Sequence, residues 1–220
     1  MRNKFSTFLI LLGVLLILSA AALVYYNQRE AAEAGESAVS SLDAMLEHLV
    51  AESETVYPAP NDGETGEYDG PEAGIVMPLP PGYPDPYTKE MTAVEIDGYR
   101  YIGYLTIPSL NRMLPVMEEW DYARLRKAPC RFYGSTKTEN MIVCAHNYSS
   151  HFGGISELKY GEVITFTDMD GKVTTYEVVE IIILQPNDVE GMLSGGYPLT
   201  LFTCTYGGRS RVTVRCDVIE

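Results

Sequence analysis

Thr200-Leu201-Phe202-Thr203-Cys204-Thr205-Tyr206, followed after a short loop by Arg209-Ser210-Arg211-Val212-Thr213-Val214-Arg215, decides how this chain is read. Both runs are short and rich in β-branched and aromatic residues, the composition of paired strands. A cysteine ends the first, and an arginine-bearing run begins five residues later. Upstream, Met141-Ile142-Val143-Cys144-Ala145-His146-Asn147 is a third strand-like run, ending on a histidine. Cys, His and Arg, each at the edge of a strand, are the parts of a thiol acyl transfer. A thiolate attacks, an imidazole handles protons and a guanidinium steadies charge on a carbonyl.

Outward from these runs the pattern stays β. Tyr101–Ile107 reads as a strand stopped by Pro108, and Arg112–Val116 as another. Met141–His146 and Glu162–Thr167 follow, and Lys172–Leu184 alternates after the turn Asp168-Met169-Asp170-Gly171. Asp-Gly between alternating runs is a hairpin signal. The same turn resembles part of a calcium loop, but position 179, where a liganding Glu would fall, is Val. Glu118–Lys127 reads as one short helix. This many short strands with little helix implies a mainly β domain, a closed or nearly closed antiparallel-rich barrel over residues 88–220.

The N-terminal part is different. Residues 1–4 carry Arg2 and Lys4, and residues 5–26 are apolar and uncharged. Twenty-two helical residues span about 33 Å, enough for a hydrocarbon core of about 30 Å. The flanking charges put the N-terminus in the cytoplasm and the remainder outside. A cleaved signal is the rival reading, but its apolar region is usually only about 7–15 residues. Residues 27–87 form an acidic connector. An amphipathic helix is expected where Ala38, Leu42, Met45 and Leu49 recur, read mainly as a stalk with packing on the catalytic domain as the alternative, and a Pro/Gly-rich disordered spacer is expected over 57–87. The net charge of −14 belongs to residues 27–99, which hold sixteen acidic residues against Arg29 and Lys89. No basic patch suggests nucleic acid.

The four cysteines, Cys130, Cys144, Cys204 and Cys216, form no C-x-x-C pair, and His48 and His151 add no zinc-like spacing. Cys144 lies two residues before His146 on the same strand face and is the rival thiol. Cys144 and Cys216 otherwise read as small buried hydrophobes, and His151 as a loop residue.

Thr200-Leu201-Phe202-Thr203-Cys204 followed by Arg211-Val212-Thr213-Val214-Arg215 resembles the T-L-x-T-C and R-x-x-V-R signature of sortases, the cysteine transpeptidases of Gram-positive cell surfaces. Ala145-His146-Asn147 is similar to the family's histidine segment. Ile102-Gly103-Tyr104-Leu105-x-Ile107-Pro108 resembles its first strand, and Phe152-x-x-Ile155-x-x-Leu158-x-x-Gly161-Glu162 the segment after the histidine. The resemblance implies an eight-stranded sortase β-barrel with short helices. It implies Cys204 as nucleophile, His146 as general acid/base and Arg211 as oxyanion or substrate donor, with Arg209 ranked second and Thr203 in the substrate pocket. The expected substrate is an L-P-x-T-G-like sorting signal on a surface protein or pilin, cut between Thr and Gly. The acceptor is a cell-wall or pilin amine. No cofactor is implied, and calcium modulation stays open. The short connection Gln185–Pro198 leaves no room for the long helix of class B members, and Asp85-Pro86-Tyr87 resembles the lid of pilus-type members. Two other readings stand beside this one: a secreted cysteine peptidase that only hydrolyses, and a non-catalytic membrane-tethered β-barrel binding module.

Overall fold

Alternating and apolar runs that each bury one face have to close on one another, and here they close completely. The computed structural model describes residues 2–54 and 91–219, apart from the side chains of 2–7 and 52–54. The strands are β1 (Val94–Ile96), β2 (Tyr99–Ile107), β3 (Arg112–Met117), β4 (Cys130–Tyr133), β5 (Met141–Cys144), β6 (Val163–Asp168), β7 (Val173–Leu184), β8 (Leu199–Cys204) and β9 (Arg211–Val218). Their order is β1-β2-β3-β4-β5-β8-β9-β7-β6, and β6 returns to pair with β2. Eight strands therefore form a closed barrel, with β1 as an extra flap on β2. Most pairings are antiparallel; β3 with β4 and β5 with β8 are parallel.

Closure depends on β2 serving two partners along one edge. It pairs with β1 through Tyr101 and with β6 from Gly103 onward. Between these, its register against β3 shifts from Tyr101 to Gly103. Gly103 has φ +149°, and a Cβ there would sit 2.2 Å from the Thr167 carbonyl oxygen. Only glycine lets the two strands approach this closely.

Two apolar clusters follow from strand alternation. Val143, Leu199, Leu201 and Val214 fill the barrel interior with Ile102, Leu105 and Phe166. Ile142, Cys144, Cys130 and Phe132 face outward into a second cluster with Met45, Tyr101, Met117 and Met192.

The covering element is α1 (Arg2–Glu54), one unbroken helix of 53 residues, about 80 Å long. Within the described residues it is the one helix long and apolar enough to cross a membrane, with a mean hydropathy of 2.8 in its best window. The helix does not leave the apolar segment as a free stalk. Ala34, Ala38, Leu42 and Met45 lie at spacings of three and four and are buried against the barrel, whereas Val39 and Val50 stay exposed. Ser41 Oγ and Tyr101 Oη share a 2.9 Å hydrogen bond beneath it. The spacer expected over 57–87 lies outside the described residues.

Two local expectations change. The helix expected over Glu118–Lys127 shrinks to α2 (Tyr122–Leu125), because the Glu118 amide still donates to Arg100 O (2.9 Å), keeping that backbone in the sheet. Asp121 caps α2 by accepting from the Arg124 amide at 2.6 Å. Strand β5 stops at Cys144, two residues short of His146. A short helix, α3 (Val189–Leu193), occupies the connection before β8.

Candidate active site

Strand register pairs two of the three chemistry-bearing residues and brings the segment of the third alongside. β8 pairs antiparallel with β9, and Cys204 is opposite Arg211. Cross-strand partners share a face, so the thiol and the guanidinium leave the sheet on the same side. On the other edge β8 runs parallel to β5, with Cys144 opposite Phe202, and the Ala145 amide continues the pairing to Phe202 O at 3.2 Å. His146 follows directly after Ala145, past the end of β5 and beside the end of β8 that carries Cys204. The site therefore lies at one end of three adjacent strands, on the barrel's outer face.

The four thiols separate by burial. Cys130, Cys144 and Cys216 are buried and Cys204 is half-buried; all four are unpaired. Burial pushes the Cys130 and Cys144 thiols far up, and the Cys216 thiol to about 12. Thiols held protonated are poor nucleophiles, so Cys144 is not a competitor. Its Sγ instead lies 3.5 Å from Cys130 O as a weak donor.

The arginines, equivalent by parity, also separate. Arg209 is exposed at the tip of the β8–β9 turn. Arg215 is 8% exposed, paired with Glu180 at 2.7 Å, bonded to Gly191 O at 2.6 Å and stacked over Tyr197, so it ties α3 to the barrel. Arg211 is half-buried and donates from Nη1 to Gly208 O and Ser210 O, each at 3.2 Å. The turn that carries it is braced by Thr205, whose amide donates to Ser210 O at 2.9 Å and whose Oγ1 accepts from the Ser210 amide at 3.1 Å.

Thr203 points to the opposite face from Cys204. It is 4% exposed, and its Oγ1 donates to Ala145 O at 2.8 Å. That bond ties the residue before the cysteine to the residue before the histidine. Asp85 and Tyr87 lie outside the described residues.

His146 is half-buried. Burial lowers its pKa; the carboxylate of Glu30 opposes this and Arg126 adds to it. The Tyr148 ring stacks on it at 4.7 Å with 28° between planes, and His151 packs behind Tyr148 at 5.5 Å. His151 lies in the turn after β5, a loop residue as expected, yet it is fully buried, and burial lowers its pKa to about 4. Backbone of Lys127 and Ala34 faces that ring without closing a hydrogen bond to either nitrogen. Tyr148 and the α1 residues beside it carry no sequence signature, because their proximity arises only when α1 docks. Between α1 and the barrel runs an open groove of about 1460 Å³, lined by Val24, Glu30, Arg112, Asn147, Tyr148 and Tyr206. Among the described residues no three His, Cys, Asp or Glu side chains cluster to hold a metal. At the Asp168 turn, Oδ1 accepts instead from the amides of Asp170 (3.0 Å) and Lys172 (2.9 Å).

This arrangement has known counterparts. The chain is similar to sortase C from Clostridium perfringens SM101, with 26% identity over 61% of this chain and 76% of that one, and a TM-score of 0.50. It is also similar to sortase C1 from Streptococcus agalactiae, with 27% identity, 57% and 71% coverage and a TM-score of 0.51. Group B Streptococcus pilus island 1 sortase C2 shares the fold at 21% identity, covering 62% and 85%, with a TM-score of 0.51. No curated protein matches the sequence significantly. A family profile described as the sortase domain matches residues 105–219, just over half the chain, and so the protein belongs to the sortase family of cell-surface cysteine transpeptidases.

Proposed function

We propose that this protein is a membrane-anchored transpeptidase that cuts an L-P-x-T-G-like sorting signal between Thr and Gly and passes the acyl group to an amine. The observation that carries the reading is one solvent-reaching thiol, Cys204, paired across strands with Arg211 on the neighbour of the strand that His146 follows. The Cys204 thiolate attacks the threonine carbonyl carbon, and Arg211 donates to the oxygen as it gains charge. His146 protonates the departing glycine amine, leaving a thioester on Sγ. His146 then takes a proton from the acceptor amine, which displaces the thiolate and forms the new amide. Arg211 stays protonated throughout, so it acts as a fixed donor. Thr203 holds the cysteine and histidine segments at their spacing through Ala145. Arg209, at the exposed turn, meets the substrate's flanks in this reading.

Residues 5–26 anchor the protein, with the N-terminus inside and the barrel outside. The groove beside α1 begins near Val24, at the outer end of that segment, and reaches Asn147 and Tyr206. Those residues follow His146 and Cys204 closely in sequence, so the groove is a path for an acceptor amine from the membrane side. The partners are thus a surface protein or pilin bearing the signal, and a cell-wall or pilin amine. No cofactor enters the steps, and a lid role for Asp85 and Tyr87 remains a separate proposal.

The test incubates the protein with fluorogenic L-P-x-T-G and N-P-x-T-G peptides, with and without triglycine, and follows products by mass spectrometry. A Cys204-linked acyl-enzyme and a glycine-extended product, both lost in Cys204→Ala, are expected. Hydrolysis alone, whatever amine is added, would replace this reading with a peptidase. An unreactive Cys204 would leave a binding barrel.

A further inference from the structure

The side chains around His146 continue past the barrel and into α1. Tyr148, two residues on, lays its ring nearly parallel to the imidazole at 4.7 Å. Its hydroxyl donates to Glu30 Oε1 at 3.0 Å, and Glu30 belongs to α1, just beyond the apolar segment. Arg126, beyond α2, stands 3.9 Å from the same carboxylate. The loop that carries Tyr148 is clamped to the helix next door as well: Ser150 Oγ donates to Ala31 O at 2.8 Å. Gly35 lies so close that a Cβ there would be 3.1 Å from the Ser150 Cβ. Behind Tyr148, His151 fills the gap to α1.

These contacts hold the loop's plane and height with bonds from another element. No imidazole hydrogen bond of His146 to a carboxylate or carbonyl takes part, among the described residues. An acid/base group without such an orienting bond depends on packing to keep its ring aimed. We infer that Tyr148 and Glu30 are positioning residues for His146: the tyrosine ring sets the plane of the imidazole, and the carboxylate of the anchor helix pins the tyrosine. The inference rests on the reading of His146 as the acid/base of Cys204. It makes α1 a working part of the active site as well as a tether.

The charged and titratable groups that bear on His146 are few. Glu30 faces it from α1, Arg126 from the segment after α2, and Tyr148 and His151 from its own loop. Glu30 favours the imidazolium, Arg126 and burial disfavour it. Substitutions at the two charged positions therefore act in opposite directions, which a general loss of packing would not do.

The experiment uses the full chain in detergent micelles. The three histidines allow the His146 ring resonance to be assigned with His48→Gln and His151→Gln and titrated by NMR in a Cys204→Ala background. In parallel, kcat and KM are measured for a fluorogenic sorting peptide with triglycine in the otherwise native chain. Glu30→Gln should move the His146 titration to lower pH, Arg126→Gln to higher pH, and Glu30→Asp should restore most of the first shift. Tyr148→Ala should expose the ring, move its titration upward and lower kcat by about tenfold or more with peptide KM little changed; Tyr148→Phe, which keeps the stack, should fall between. An unchanged His146 titration in Glu30→Gln, or a Tyr148→Ala enzyme with native kcat, overturns the inference. So does a kcat loss that tracks only a lowered melting temperature. If His146→Ala keeps full turnover, the reading of the site itself has failed, and the titrations, which need no turnover, still report whether α1 governs this ring.

Discussion

At the residue scale, chemistry is sorted by burial more than by residue type. Four thiols of one chemical kind become three inert ones and one candidate nucleophile because three point into apolar clusters and Cys204 ends its strand at the surface. Iodoacetamide at pH 8 is therefore expected to modify Cys204 alone in the native protein and all four cysteines in urea. Peptide mapping checks this, and rapid native labelling of Cys144 would contradict the burial argument. The arginines divide in the same way. Arg209, Arg211 and Arg215 fall at alternating positions of one run, and the structure gives each a different neighbourhood: solvent, the Cys204 pairing position, and an ion pair with Glu180. Arg211→Ala should lower kcat/KM by roughly 10²–10³, the usual effect of removing an oxyanion donor, and Arg209→Ala by only a few-fold. Equal losses would mean the donor has been assigned to the wrong arginine.

At the element scale, a strand is legible when its pattern is local and hidden when it depends on distant partners. The alternating runs of β2, β6 and β7 and the signature strands β8 and β9 stood out in the sequence. β4 did not: Cys130-Arg131-Phe132-Tyr133 carries a charge inside a four-residue strand. Arg131 is only 1% exposed because its Nε donates to Glu118 O at 3.0 Å, a partner no local pattern reveals. The over-long helix at Glu118–Lys127 failed for a related reason, since sheet pairing overrode local propensity. The candidate site was legible to the extent that its residues lay in or just past strands. Cys204, His146 and Arg211 came from motifs, whereas the contact of Glu30 with Tyr148 joins positions 118 residues apart. Barrel closure makes the clearest prediction at this scale. Gly103→Ala forces a Cβ against the Thr167 carbonyl where β2 changes partner. Strain and displacement together should cost about 1–3 kcal/mol or more, read as a lowered denaturation midpoint. A native midpoint would mean the bulge relaxes freely.

For the whole molecule, the consequence of docking α1 is that the barrel is held against the C-terminal half of a helix whose N-terminal half is apolar and exposed. The interface is sealed by His151, buried between the Tyr148 loop and the Ala34 region of α1, and this makes its strength depend on pH. Its folded-state pKa is lowered to about 4, first by burial and then by His146, against about 6.5 when unfolded. The lowered value means that between these two limits the unfolded chain binds the proton and the folded chain does not. Stability from this group is thus complete above about pH 6.5, falls as pH drops, and levels off below about pH 4, a loss of about 3 kcal/mol across the window. Carboxylates titrate in part of the same range, so the comparison is with His151→Met, which fills the space without a titrating nitrogen. Thermal melts of the full chain in micelles at pH 7, 5.5 and 4.5 should show the native protein losing more than the variant, with most of the divergence between pH 6.5 and 4.5. Parallel curves would mean that the imidazole finds a proton acceptor in the folded state, such as the Lys127 or Ala34 backbone that faces it, and that the seal between helix and barrel is indifferent to acid.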